Sequence, residues 1–151
     1  MYAHSLVTLV LIALCTLGTV SNLGLLAAAA PPPPQATDLL SVTSPSLNDD
    51  YKVGEIIHVQ ISLVNGTSGV IYQENPEMNI HIQKDIRFPK LNVKLGTVSA
   101  TTLYNDGFEF KALKSYLIKE QANVPFRVRV SFHIPDRTGY VDSAPFKLHE
   151  K

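Results

Sequence analysis

Three histidines are the first residues in this chain that suggest chemistry. His58, His81 and His133 each lie on the polar side of an alternating segment, and imidazole is a common protein ligand of Zn²⁺. If their strands were neighbours, His81 and His133 would approach each other on one outer face. A metal site also needs a third ligand and groups that orient the imidazoles, and none stands at a diagnostic spacing. We therefore predict solvated histidines, no metal and no cofactor.

Carboxylates form the second group of candidates. Asn48, Asp49 and Asp50 offer oxygens to Ca²⁺, but they lack the EF-hand spacing, which favours a plain turn. A glycosidase needs two carboxylates at a defined separation, which a sequence does not give. Carboxylates for such a pair are supplied by Glu74, Glu77, Asp85, Asp106, Glu109 and Asp136. Any β domain of this size has as many, and nucleophile elbows, phosphate loops and HExxH motifs are absent, so we predict no catalytic residue and no enzyme.

The most specific local motif is a glycosylation sequon. Asn65-Gly66-Thr67 is the only N-x-Ser/Thr sequence in the chain, and it follows a predicted strand. We predict a glycan on Asn65, in a turn that has room for it. The alternative is a hairpin turn that uses Asn-Gly for its positive φ, and both interpretations can hold together.

Tyrosine side chains are candidates for sugar binding. The tyrosines lie mostly in or near predicted turns: Tyr51, Tyr72, Tyr104, Tyr116 and Tyr140. Since the chain has no tryptophan, a flat stacking platform is disfavoured, and we expect most of these rings to fill strand ends. Arg127 and Arg129 alternate on the polar side of a strand, where we expect them to pair with acids across the sheet.

The strands that position these residues are predicted from the alternation of apolar and polar residues with period two. Residues 55–64 and 126–134 are the clearest cases, with apolar residues on one side and polar residues on the other. Further strands are predicted at residues 40–43, 78–83, 91–98, 108–112, 116–119 and 145–149. Turn signals such as Asn105-Asp106-Gly107 and Thr138-Gly139 separate them, and no segment has a sustained helical period. Seven or eight short strands with regular turns are typical of an all-β antiparallel sandwich.

The amino terminus indicates where this domain works. Residues 1–30 carry no Lys, Arg, Asp or Glu and end in four alanines, which predicts a secretory signal peptide. An uncleaved membrane anchor is the alternative, because the apolar stretch is long enough to span a bilayer. Residues 31–38 form a proline-rich linker and residues 39–151 a single domain without cysteine, since Cys15 lies in the leader. The 13 basic and 13 acidic residues balance, which argues against a nucleic-acid partner.

Two blocks of sequence resemble a known family. The first is VTSP at residues 42–45 with YKVGE at 51–55, and the second is FRVRV at 126–130 with GYVDSAPFKL at 139–148. Together they resemble the amino-terminal immunoglobulin-like domain of fungal Ser/Thr-rich, GPI-anchored membrane proteins, a family that acts in cell-wall synthesis. The tryptophan usual in the second strand is missing, so Ile57 or Val59 takes its core position. The Ser/Thr-rich stalk and the GPI tail are missing as well.

The resemblance implies an immunoglobulin-like sandwich of seven to eight strands in a secreted protein of the fungal cell surface or extracellular matrix. Such a protein acts by binding, and its expected partners are cell-wall polysaccharide, β-glucan in particular, or another extracellular protein. Contact with a membrane is expected only if the leader stays uncleaved. The alternatives are a secreted inhibitor or effector that uses the loops at residues 64–76 and 95–107, and a small glycan hydrolase.

Overall fold

Two antiparallel sheets contain most of the regular structure. The computed structural model of the protein describes residues 34–150; the predicted signal peptide, residues 31–33 of the linker and Lys151 lie outside this range. The described residues confirm the predicted all-β sandwich. Within that part of the chain, no helix is long and apolar enough to cross a bilayer.

Nine strands run through the described residues, against the seven or eight predicted. They are β1 (Leu40–Ser44), β2 (Asp50–Lys52), β3 (Ile56–Leu63), β4 (Glu77–Lys84), β5 (Asn92–Ser99), β6 (Phe108–Lys111), β7 (Phe126–Ile134), β8 (Arg137–Asp142) and β9 (Lys147–His149). One sheet has the order β1-β3-β6 and the other the order β5-β4-β7-β8. β2 and β9 form a short parallel pair outside both sheets.

The core follows from the alternation of β3, β4 and β7. Their apolar residues are buried: Ile57, Val59, Ile61, Leu63, Met78, Ile80, Ile82, Phe126, Val128, Val130, Phe132 and Ile134. Residues of the other phase point away from this interior, as period two requires. Each sheet therefore has one apolar and one polar face.

Local structure can be described in and beside the two blocks of sequence that carry the resemblance. β1 ends at Ser44, directly before Pro45. Gly54 has a φ of 99° in the turn before β3, a conformation that favours glycine. Ile57 and Val59 are both fully buried. Of the predicted closing strand at residues 145–149, only Lys147–His149 pairs, as β9.

Two predictions about regular structure are wrong. Residues 116–119 form no strand, because the chain there makes 3₁₀ turns at Lys114–Tyr116 and Lys119–Gln121. Two short helices also occur where no helix was expected, α1 (Val70–Glu74) and α2 (Ala100–Asn105). With five and six residues, they are too short to produce a readable helical period.

The predicted turn at Thr138-Gly139 is wrong as well. β7 and β8 are joined by the two-residue turn Pro135-Asp136, and Thr138 and Gly139 lie inside β8. Gly139 is needed there for space: a Cβ would lie 2.8 Å from Ala36 Cβ and 3.2 Å from Phe132 Cζ. In the sequence, a glycine that is needed because other residues pack closely against it looks the same as a glycine that is needed for a turn.

Candidate ligand-binding face

The outer face of the four-stranded sheet brings together most of the polar residues that the sequence singles out. Residues directly opposite each other in antiparallel strands share a face, so the strand registers define it. We call this surface the polar face. It consists of Asn79, His81, Gln83, Asn92, Lys94, Thr97, Arg127, Arg129, Ser131, His133, Thr138, Tyr140 and Asp142.

Arg129 is fixed at the centre of the polar face. Its Nε and Nη2 donate hydrogen bonds to the two carboxylate oxygens of Asp142, at 2.7 and 2.8 Å. Its guanidinium carbon also lies 3.8 Å from the ring centroid of Tyr140, which places the cation over the aromatic face. The hydrogen bonds that Arg129 donates to Asp142 raise the pKa of Arg129 above its ordinary value. The predicted cross-strand acid for Arg129 is therefore confirmed, and it is Asp142.

Arg127 is the second fixed cation. Its Nη1 lies 3.1 Å from Asp85 Oδ1, and its Nη2 donates to the carbonyl oxygen of Ile86 at 3.2 Å and to Gln83 Oε1 at 3.3 Å. Its Nε is buried 3.6 Å from Asp142 Oδ2 and has no hydrogen-bond partner among the described residues. Asp142, whose side chain is 10% exposed, therefore stands between two arginines.

Side-chain amides extend the network toward β5. Gln83 Nε2 donates to Asn92 Oδ1 at 2.8 Å, and Thr97 Oγ1 donates to Asn79 Oδ1 at 3.0 Å. These cross-strand bonds hold donors and acceptors of the polar face in fixed positions.

His81 lies in a cationic environment on the polar face. Lys94 of β5 stands opposite it on one side, and Arg129 of β7 on the other. Burial, Lys94 and Arg129 lower the pKa of His81 below 6.5, in that order of size. The imidazole is therefore neutral at pH 7 and can both donate and accept a hydrogen bond.

The expected approach of His81 to His133 is wrong. β4 and β7 are neighbours, but His81 lies opposite Arg129, four residues before His133 on β7, which corresponds to about 13 Å along the strand. His133 Nδ1 instead lies 2.7 Å from Thr138 Oγ1. His58 belongs to the other sheet, beside Gln60 and Glu109. In residues 34–150, no three His, Cys, Asp or Glu side chains converge as ligands for a metal.

Asn48 and Asp49 lie in the predicted turn, whereas Asp50 is the first residue of β2. The Asp49 carboxylate accepts hydrogen bonds from Ser46 N at 2.7 Å and from the Tyr51 hydroxyl at 3.1 Å. Asp50 lies 2.8 Å from His149 Nδ1, across the β2–β9 pair. Burial, with the help of Asp49, raises the pKa of Tyr51 to about 12.

The six candidate carboxylates are distributed over different elements. Glu74 lies in α1 and Glu77 in β4, and Asp106 follows α2. Glu109 stands in β6 beside His58, and Asp136 lies in the β7–β8 turn. Asp85 contacts the polar face through Arg127, and Glu77 shares the phase of Asn79 at the edge of that face.

The sequon lies on an exposed turn. Asn65 and Thr67 are exposed, and both Asn65 and Gly66 have positive φ, 62° and 51°. The expected positive φ is confirmed, but the turn is not a hairpin. It continues into the 3₁₀ turn Gly66–Ser68 and then α1, because the chain crosses here from one sheet to the other.

Four of the five tyrosines pack in the interior or against other rings. Tyr116 is buried, and Tyr51 packs edge-on against Phe146. Tyr72 and Tyr104 meet edge-on at 5.9 Å, which links α1 to α2. Tyr140 differs, because it lies in a strand on the polar face.

Asp142 belongs to this site but is not among the residues predicted from the sequence. The signal was present, since Tyr140 and Asp142 share one phase of a strand, but Thr138-Gly139 was interpreted as a turn and concealed β8. No protein-family model matches the chain, and no curated protein shows detectable similarity to it.

Proposed function

We propose that the protein is a secreted, non-catalytic binding protein of the fungal cell surface or extracellular matrix, and that it binds cell-wall β-glucan on the polar face. The resemblance at residues 42–55 and 126–148 and the apolar leader support the location. The order β1-β3-β6 opposite β5-β4-β7-β8 supports an immunoglobulin-like sandwich.

The observation that carries the binding proposal is the clamped position of Arg129 between Asp142 and Tyr140. A neutral polysaccharide offers hydroxyl groups and apolar ring faces, and it is best bound by planar polar groups in fixed positions. Arg129 and Asn79 are such groups, both partly exposed, and Tyr140 adds aromatic surface. Four strands at their usual spacing make a face roughly 14 Å wide, enough to lie along several sugar units.

A second candidate function is inhibition of a partner protein through the connections at residues 64–76 and 100–107; residues 95–99 of the predicted second loop belong to β5. These loops meet at one end of the sandwich through Tyr72 and Tyr104, and Gln60 Nε2 donates to the carbonyl oxygens of Leu103 and Tyr104. Val64 and Val70 remain exposed there. Rigid loops with exposed apolar residues suit contact with a protein.

Retention on insoluble polysaccharide separates the two candidates. The secreted protein is incubated with β-glucan or with chitin, and bound and free fractions are compared. Retention on β-glucan supports the cell-wall proposal. A protein that stays in solution with both polymers contradicts it and favours the inhibitor.

A further inference from the structure

Lys84 is a buried lysine at the end of β4. It continues the apolar phase of that strand, after Met78, Ile80 and Ile82, and its exposed fraction is 1%. This position would normally hold an apolar residue, because transfer of a charge from water to the interior is costly. A lysine kept here calls for a physical explanation.

The contacts of Lys84 leave its charge without a neutralising group. Its Nζ donates to the carbonyl oxygen of Val124 at 3.0 Å and lies 3.6 Å from the ring centroid of Phe126. None of the salt bridges among the described residues includes Lys84. Burial lowers the pKa of Lys84. The Val124 carbonyl oxygen and the Phe126 ring hold Nζ in place, and when the amine carries its proton it supplies positive potential beneath the surface.

A groove of about 380 Å³ lies beside Lys84, between β9 and the segment that connects β6 to β7. We call it the lysine groove. Leu117, Ile118 and Leu148 provide apolar surface, and three cations line it, Lys84, Lys114 and Lys119. Its volume falls in the range of small-molecule sites, and its apolar lining differs from the polar face.

Negative charge in the lysine groove is small. Glu150 is the one acidic residue in its lining, and its carboxylate lies 3.0 Å from Lys114 Nζ. Both side chains of this pair are largely exposed, so the pair is weak and easily rearranged. Among residues 34–150, two of the three lysines have no acidic partner, which leaves this part of the groove cationic.

We propose that the lysine groove binds an amphipathic carboxylate, an aliphatic chain with a single acid headgroup. The chain lies on Leu117, Ile118 and Leu148, and the headgroup binds Lys119 with Lys84 contributing from below. The apolar surface of the groove is complementary to the aliphatic chain, and its lysines are complementary to the negative headgroup. A neutral sugar would leave the lysines without counter-charge, so the lysine groove and the polar face take different ligands.

Calorimetric titration of the secreted protein with decanoate, below its micelle concentration, tests this proposal. We expect saturable binding, with decan-1-ol at least about tenfold weaker because it lacks the charge. Lys119→Gln, at an exposed position, is expected to weaken decanoate binding by about tenfold. Lys84→Met keeps the length of the side chain, removes the charge and should also weaken decanoate but not decan-1-ol.

The matched control is Lys94→Gln, which removes a lysine from the polar face and should leave decanoate binding unchanged. Equal affinities for decanoate and decan-1-ol overturn the proposal, and so does an equal loss in Lys119→Gln and Lys94→Gln. Binding to vesicles of anionic phospholipid without binding of free decanoate also overturns it, since the groove would then serve a membrane surface.

Discussion

Arg129 and Asp142 form a two-point ion pair on neighbouring strands of the polar face, with hydrogen bonds of 2.7 and 2.8 Å. The side chains are 25% and 10% exposed, so water screens the pair only in part. Arg127 Nε lies 3.6 Å from the same carboxylate. The Asp142 carboxylate therefore holds Arg129 in place and also lies close to Arg127.

Substitution of Asp142 should be costly for that reason. In Asp142→Asn both arginines lose their shared negative partner while the shape of the side chain is kept. We expect a loss of about 2–3 kcal/mol in the free energy of unfolding, the usual range for hydrogen bonds to charged groups. Urea denaturation monitored by circular dichroism measures it.

Asp38→Asn is the matched control. Asp38 also forms a two-point pair with an arginine, Arg137, but it is 61% exposed. Exposed pairs contribute little and are screened by salt, so its loss should be much smaller. Equal losses in the two variants would show that burial does not strengthen the Asp142 cluster.

Gly107 should tolerate alanine poorly. Its φ is 77°, and an added Cβ would lie 2.5 Å from His58 Nε2 and 2.8 Å from Gln60 Oε1. Gly107→Ala therefore adds a steric conflict to backbone strain, and we expect a loss of about 2–4 kcal/mol in unfolding free energy. Gly54→Ala provides the comparison, since Gly54 also has positive φ, but its Cβ would meet no atom within 4 Å. We expect about 1–2 kcal/mol there from the backbone alone, and a larger loss at Gly54 would refute the argument.

His81 should make stability depend on pH below neutrality. Its pKa in the folded protein is lower than its ordinary value of 6.5, so the unfolded chain binds a proton first as pH falls. The free energy of unfolding should therefore decrease from about pH 6.5 down through the folded pKa and then level off. The difference between wild type and His81→Gln isolates this contribution from other titrating groups.

Lys94→Gln tests the cause of that shift. Removal of the cation opposite His81 should raise the pKa of the imidazole toward 6.5, as followed by NMR titration of its ring protons. Lys111→Gln, on β6 of the other sheet, should leave it in place. If both variants or neither moves the pKa of His81, the neighbouring charge is not responsible.

Asn65 should carry a glycan on the secreted protein. The sequon is exposed on a turn, where the transferring enzyme has access. Intact-mass spectrometry should show a glycan mass that disappears in Thr67→Ala and persists in Thr67→Ser, because serine preserves the sequon. The same spectrum gives the mature amino terminus. An unmodified Asn65 in all three proteins would contradict the prediction.

The fold was predictable where apolar and polar residues alternate without interruption. The predictions were wrong where a residue pattern typical of one structure occurs in another. β3, β4 and β7 show regular alternation because one face of each is buried. Tyr116 and Ile118 also alternate, but they pack around 3₁₀ turns rather than in a sheet. Gly139 looks like a turn glycine in the sequence. The reason that a larger residue does not fit there is the close packing of Ala36 and Phe132, which local sequence does not reveal.

The candidate site was predictable in part for the same reason. The alternation of residues along β7 is enough to predict that Arg127 and Arg129 face away from the core. Which acid meets them depends on the pairing of β7 with β8, and the separation of His81 from His133 depends on the register of β4 against β7. Strand phase is local information, whereas register is set by the whole packed sheet.

The most direct measurement of the central claim is co-sedimentation with insoluble β-glucan for wild type, Ser131→Lys and Ser62→Lys. Ser131 lies on the polar face between Asn79 and Tyr140, and Ser62 faces outward from the other sheet. The same serine-to-lysine change thus tests the two outer faces. We predict that wild type and Ser62→Lys are retained alike and that Ser131→Lys stays in solution. Equal retention of the two variants, or no retention of wild type, would contradict the claim that the polar face binds β-glucan.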